Sequence, residues 1–227
     1  MSERGFFITL EGPEGSGKST QAKRLAAALR RQGCRVVEVR DPGTTTLGTR
    51  LRAVLLHERR PLSAMTEALL FIAGRAQLVK ERIRPALARG GVVVCDRFHD
   101  STMAYQGDAG GVEVAWLNRL GRHAIGGLMP HLTIVLDVPP RVGLARVRGA
   151  KDRMERKTLA FHRRVRAGYR RIARAEPRRV IIVDATQSPL VVHRQIMETA
   201  WRHLRKHQES NTAHHHSCIP KHQSARR

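Results

Sequence analysis

The chain has 227 residues, enough for one domain or two small ones, and 41% of them are hydrophobic, although aromatics make up only 4%. Lys and Arg number 42 against 19 Asp and Glu, a formal charge of +23. That excess excludes an acidic disordered chain and directs attention to a polyanionic partner or substrate, nucleic acid or small phosphate alike. Cys34, Cys95 and Cys218 are too widely and unevenly spaced for a disulfide framework or a zinc pattern, so a reducing compartment, the cytoplasm, is expected. No secretory pattern opens the chain, and no apolar stretch approaches the ~20 residues that span a bilayer, so no membrane contact is expected.

In chain order, a strand is predicted at 6–10, a helix at 18–32, a strand at 35–39 and helices at 47–56 and 64–88. A strand at 92–95, a helix at 112–123, a strand at 132–136, helices at 141–148 and 156–174, a strand at 180–183 and a helix at 189–206 follow. The strands are nearly continuous apolar runs, as in a parallel sheet buried on both faces. The β-α alternation predicts one α/β domain over residues 1–206, a doubly wound sheet of five parallel strands flanked by helices. On the 64–88 helix, Met65, Leu69, Ile72, Ala76, Val79, Ile83 and Leu87 recur at spacings of three and four and read as the core stripe, with Phe71 and Arg75 together on another face. Residues 207–227 are basic and polar and read as a disordered tail. Its His214, His215, His216 and Cys218 could ligate a metal, but a tail supplies no surrounding shell, and a plain flexible end is the better reading.

Between the first strand and helix stands Gly12-Pro13-Glu14-Gly15-Ser16-Gly17-Lys18-Ser19, followed by Thr20, a match to G-x-x-x-x-G-K-[ST]. Glycines let backbone N–H groups curl around phosphate oxygens, and the helix start aims its dipole at the same anion. Lys18 then reaches the β- and γ-phosphates, and the Ser19 hydroxyl can ligate Mg²⁺. Asp96, ending the apolar run at 92–95, supplies a second magnesium anchor, through water, or a helix cap. Arg97 beside it reads as an anion clamp.

Further segments make the pattern specific. They are Arg40-Asp41-Pro42-Gly43, Thr66-Glu67-Ala68-Leu69-Leu70-Phe71, Arg75-Ala76-Gln77, Ile83-Arg84-Pro85-Ala86-Leu87, Asp96-Arg97-Phe98 and Ser101-Thr102-Met103-Ala104-Tyr105-Gln106-Gly107. In this order and spacing the chain resembles the bacterial thymidylate kinases, P-loop nucleoside monophosphate kinases, from about residue 6 to 185. The resemblance implies transfer of the ATP γ-phosphoryl group to dTMP, with Mg²⁺, in a homodimer formed through helix faces that include part of 64–88. It implies that Phe71 stacks on thymine, that Arg75 and Thr102 address the base edge, and that Gln106 closes the pocket. Arg40 and Arg97 would bind the acceptor phosphate, Tyr105 would lie against the sugar, and Glu14 would be the loop carboxylate near sugar and phosphate. The chain departs from the family's usual pattern at Thr44, where a glycine is common, and at Gly74, where an acid is common.

Residues 141–179 carry 15 Lys and Arg against 3 acidic residues, a net of +12. Within them, residues 146–158 resemble the family's arginine-rich lid, which supplies the catalytic arginine when the phosphate loop has none. Position 15 is glycine, so the lid is the expected source, Arg153 first and Arg148 second, with most of the other cations read as a solvated face. Two other readings stand beside this one: a kinase of the same scaffold with a different acceptor, and a basic P-loop protein with weakened catalysis that binds nucleic acid. The scarcity of aromatics speaks against the second and leaves non-specific nucleic-acid affinity at most.

Overall fold

The computed structural model describes residues 5–58 and 60–212. The order of elements is β1 (Phe6–Glu11), α1 (Lys18–Arg31), β2 (Val36–Arg40), α2 (Thr46–His57) and α3 (Ala64–Leu78). A π-helical segment, Val79–Ile83, joins α3 to α4 (Arg84–Ala88), and β3 (Val92–Asp96) follows. Next come α5 (His99–Thr102) with a second π-helical segment, Met103–Ala109, then α6 (Val114–Ala124), β4 (Leu132–Asp137) and α7 (Pro140–Arg146). The fold ends with α8 (Leu159–Ala175), β5 (Val180–Asp184) and α9 (Pro189–Thr212).

The five strands form one parallel sheet in the order β2-β3-β1-β4-β5. Their continuous apolar character has the expected cause. Phe6, Ile8, Leu10, Val92, Val94 and Ile134 pack on one side with α1 and α9, while Phe7, Val39, Val93 and Cys95 pack on the other with α3 and α4. A third cluster, built on Met103, Tyr105, Val135, Phe161 and Tyr169, joins α8 to the second π segment. Because β1 is central, its carboxyl end opens between β3 and β4, where ligands of α/β sheets bind. Among the described residues no helix is long and apolar enough to cross a membrane.

Three expectations change. The 64–88 helix is not one regular stripe: Met65 and Leu69 are exposed, at 40% and 46%, and the buried face is Ala68, Ile72, Arg75 and Leu78. Both sets precede the π segment: Ala68 and Ile72 pack into the cluster of Tyr105 and Phe161, and Leu78, with Val79, Ile83 and Leu87 beyond it, packs into the cluster of Phe7 and Val93. The run at 99–109 is helical although turn-like residues (Asp100, Ser101, Gly107) hid it. The predicted tail begins too early, since α9 continues through 207–212. His207 packs 4.5 Å from the His131 ring and 5.1 Å from Phe6, and its Nε2 donates to the Gly5 carbonyl at 3.1 Å. The expected histidine-and-cysteine group at 214–218 lies outside the described residues.

His131 stacks on Phe6 and accepts the Phe7 N–H at Nδ1, a bond that needs the neutral ring. Burial and the neighbouring His207 hold its pKa down at about 4, and burial with Arg75 does the same for His99. The unfolded chain protonates these rings from the ordinary value of 6.5 downwards, so their contribution is intact above that pH and is lost towards pH 4. His131→Asn keeps an acceptor without the titration. Thermal melts between pH 7 and 4.5 should show a smaller drop in Tm for this variant than for the parent chain.

Candidate active site

The phosphate loop leaves β1 at Gly12 and enters α1 through Gly17, whose φ of 87° is left-handed. Gly15 is required by contact as well as conformation. With φ +67°, a Cβ there would stand 1.8 Å from the Gly143 carbonyl oxygen of α7. The loop and α7 therefore meet backbone to backbone, and no arginine can occupy position 15. Lys18 folds back onto the loop, donating to the Pro13 carbonyl at 2.7 Å and to Ser16 Oγ at 3.2 Å. Burial and Arg97 push its pKa down to about 8, against the pull of Glu14 and Asp96.

Arg97 is the centre of the site. Its φ of +70° is the only positive value among non-glycine described residues, a strained conformation for an arginine. Glu11, fully buried at the end of β1, holds the turn by accepting the Phe98 N–H at 2.7 Å. The same carboxylate accepts from Ser101 Oγ at 2.5 Å and Tyr169 OH at 3.0 Å, and both hydroxyls contact Arg97 Nη1. Arg97 Nη2 donates to both oxygens of Glu14 at 3.1 Å, and the guanidinium lies 4.9 Å over the Tyr105 ring. Burial raises the Glu14 pKa, but Arg97, Lys18 and the Tyr105 hydroxyl outweigh it and bring it down to about 2. Burial and Asp100 raise that of Glu11 to about 7.

A cleft of about 380 Å³ lies over these groups, and it brings together nearly all the expected residues: Glu14, Lys18, Ser19, Arg40, Phe71, Arg75, Asp96, Arg97, Thr102, Tyr105, Gln106 and Arg148 line it. The loop residues Gly15, Gly17 and Thr20 line it too; Gly12, Pro13 and Ser16 support it from beneath. Arg75, expected on an open face, is 1% exposed. It donates through Nε to Asp41 at 2.5 Å and through Nη2 to Thr102 at 2.9 Å, while its buried Nη1 has no partner among the described residues and can serve a carbonyl oxygen in the cleft. Phe71 stands one turn before it and lines the cleft together with Arg75, Thr102 and Gln106.

Arg153 is placed differently from expectation. It is absent from the cleft lining; its Nη1 is hydrogen-bonded to Glu67 and its Nε donates to the Leu55 carbonyl at 2.9 Å. Arg148, in the segment between α7 and α8, does line the cleft. The cations of 141–179 are mostly exposed, as expected, and a few of them are also paired. Arg166 and Arg170 hold Asp137, Arg171 holds Asp108, and Arg179 bridges Asp100 and Glu176.

Arg52 was not singled out in the sequence. It lines the cleft, donates to the Pro42 carbonyl at 3.2 Å, and its pKa is lowered by burial and by Arg40 and Arg97. Three guanidinium groups thus converge where a dianion would relieve their repulsion. The two departures from the usual pattern have local reasons. The Thr44 hydroxyl accepts from the Arg40 N–H at 2.6 Å, and a Cβ on Gly74 would crowd Leu51 Cδ1 at 3.3 Å, so glycine lets α2 approach α3.

Among the described residues no group of three or more His, Cys, Asp and Glu side chains is arranged for a metal. The donors fit Mg²⁺ held partly by a substrate, because the Ser19 hydroxyl donates to Asp96 at 2.5 Å and both are oxygen ligands. Arg40 rests on the pair, 3.1 Å from Asp96 and 2.7 Å from Ser19, so the spot attracts a cation. Lys18 leads to a pH prediction. Above pH 8 the free lysine is losing its proton, and a triphosphate must restore it on binding. Titration calorimetry of ATP at pH 8, in buffers of different ionisation enthalpy, should show uptake of about half a proton, with affinity falling up to tenfold per pH unit above that.

The comparisons with known proteins agree with this geometry. The family model for thymidylate kinase matches residues 10–196. The thymidylate kinase of Deinococcus radiodurans is 50% identical over 186 residues, covering 81% of this chain and 90% of that protein. That of Thermomicrobium roseum is 50% identical over 208 residues, covering 90% and 99%. The crystal structure of thymidylate kinase from Ehrlichia chaffeensis superimposes with a TM-score of 0.72 at 32% identity, covering 86% of this chain and 98% of the other. With the phosphate loop, the base-sized pocket and the converging arginines in one cleft, the chain belongs to the thymidylate kinase family.

Proposed function

We propose that the protein transfers the γ-phosphoryl group of ATP to dTMP, giving dTDP and ADP. The observation that carries this reading is the single cleft in which Lys18 and the start of α1 meet both the Phe71–Arg75 pocket and the Arg40–Arg52–Arg97 cluster. The ATP phosphates lie against the loop and Lys18. Thymine rests on Phe71 with a carbonyl on Arg75 Nη1, Thr102 and Gln106 complete the pocket, and the Tyr105 ring flanks the sugar. The acceptor phosphate takes the place between Arg40, Arg52 and Arg97.

An oxygen of that phosphate attacks the γ-phosphorus in line. A phosphate monoester is largely dianionic at pH 7, so no general base is needed. Glu14 stays ionised and acts by fixing Arg97 and Tyr105. Ser19, and Asp96 through water, would hold Mg²⁺, which would supply positive charge to the phosphates when bound. Arg148 supplies the lid cation for charge developing on the transferred group. The exposed apolar residues Leu47 and Val54 of α2 and Met65 and Leu69 of α3 support a homodimer through this face. A reducing cytoplasm suits the buried thiol of Cys95, which donates to the Arg97 carbonyl at 2.8 Å.

A coupled ADP-release assay over dTMP, dUMP, dCMP and AMP should show dTMP as the preferred acceptor; equal turnover on all four, or none on dTMP, overturns the reading. In the same assay Arg148→Ala should lower kcat by roughly 10³ with dTMP affinity little changed. Near-normal turnover of that variant would remove Arg148 from the mechanism.

A further inference from the structure

We infer that Glu67 is a positioning residue that latches the lid to the acceptor pocket, through the Arg153 guanidinium on one side and the Gln106 amide on the other. Glu67 lies in the first turn of α3, on its inner face, and is only 3% exposed. Its Oε2 accepts from Gln106 Nε2 at 3.0 Å, and its Oε1 accepts from Arg153 Nη1. Lys157 Nζ stands 3.7 Å from the same Oε1 and 5.5 Å over the Phe161 ring. One buried carboxylate therefore joins the second π segment, which lines the acceptor pocket, to two cations of the lid.

The lid side is arranged to be held as a unit. Asp152 Oδ1 accepts from the Met154 N–H at 2.8 Å and the Glu155 N–H at 2.9 Å, and Glu155 Oε2 accepts back from the Asp152 N–H at 2.9 Å. This compact turn docks through Arg153, whose own N–H donates to the Leu56 carbonyl at 3.1 Å and whose Nε donates to that of Leu55. Met154 follows it into the cluster containing Tyr105 and Ile72. Anything that reorients Gln106 shifts one half of the Glu67 hydrogen-bond set and so changes how firmly the lid is held. Resting on the reading of the pocket as the dTMP site, the latch makes acceptor binding tighten the lid before transfer and assigns Arg153 to closure, leaving the phosphates to Arg148.

Hydrogen exchange on the full chain tests the latch without using activity. In the absence of nucleotide, Glu67→Gln should speed exchange at residues 150–157 about tenfold or more, with β1 and α1 unchanged. Arg153→Met breaks the same pair from the lid side and should give the same pattern, which keeps the test decisive if the α3 variant folds poorly. Adding dTMP alone should slow lid exchange severalfold in the parent chain and have little effect in either variant. In kinetics, both variants should raise KM for ATP and lower kcat about tenfold, and Glu67→Asp should restore part of the loss. Unchanged lid exchange in both variants overturns the latch even if dTMP phosphorylation is confirmed. Faster lid exchange in the variants, with a dTMP response equal to the parent's, overturns the coupling to the acceptor pocket.

Discussion

Every strand of the sheet ends on a charged residue: Glu11, Arg40, Asp96, Asp137 and Asp184. Strands β1, β3 and β4 are buried throughout, so Glu11, Asp96 and Asp137 collect at one edge of a low-dielectric layer, where an unpaired ion costs several kcal/mol, while Arg40 and Asp184 end the edge strands in the open. The architecture of the cleft follows from satisfying them. Glu11 is answered by a backbone N–H and two hydroxyls, Asp96 by Ser19 and Arg40, and Asp137 by Arg166 and Arg170. The strained Arg97 belongs to the same scheme. A left-handed arginine persists because Glu11 grips the next N–H while Glu14 and Tyr105 grip the side chain. Its guanidinium is thereby a fixed positive charge with no freedom to swing, which suits electrostatic stabilisation that needs no reorganisation during reaction.

This changes what a charge of +23 means. A few cations of the arginine-rich stretch at 141–179 are held by carboxylates, Arg166 and Arg170 on Asp137, Arg179 on Asp100 and Arg153 on Glu67, while most of the others are exposed. Here a smaller set, Lys18, Arg40, Arg52, Arg97 and Arg148, converges on one cleft, the scale of two nucleotides. Pairing leaves the excess of +23 unchanged; five of its cations are gathered in the cleft, and most of those at 141–179 lie on the surface.

The strands and the phosphate loop were legible because their signals are local. A continuous apolar run can be read without knowing its neighbours, and so can glycines set before Gly17-Lys18-Ser19. The misread features all depend on contacts distant in sequence. Met65 and Leu69 are exposed while Ile72 is buried, a difference set by which elements pack on α3, and nothing in their spacing reports it. Arg52 and Glu67 look like surface helix charges until α2 and α3 pack, and Tyr169 reaches Glu11 from 158 residues away. Arg153 was assigned to the phosphates by its place in the lid, but the carboxylate that holds it lies 86 residues earlier.

A buried pair such as Glu67–Arg153 adds little net stability, because desolvating both ions offsets most of their attraction, yet breaking it by removing one partner is costly. That combination suits a lid better than an apolar seal would. An apolar contact strengthens with every square ångström it buries and would favour closure whatever is bound, slowing product release. A near-balanced ionic latch can be tipped in either direction by a neighbouring hydrogen bond. Gln106 supplies that bond to Glu67, so on the reading proposed for the pocket its amide would also set how readily the lid reopens.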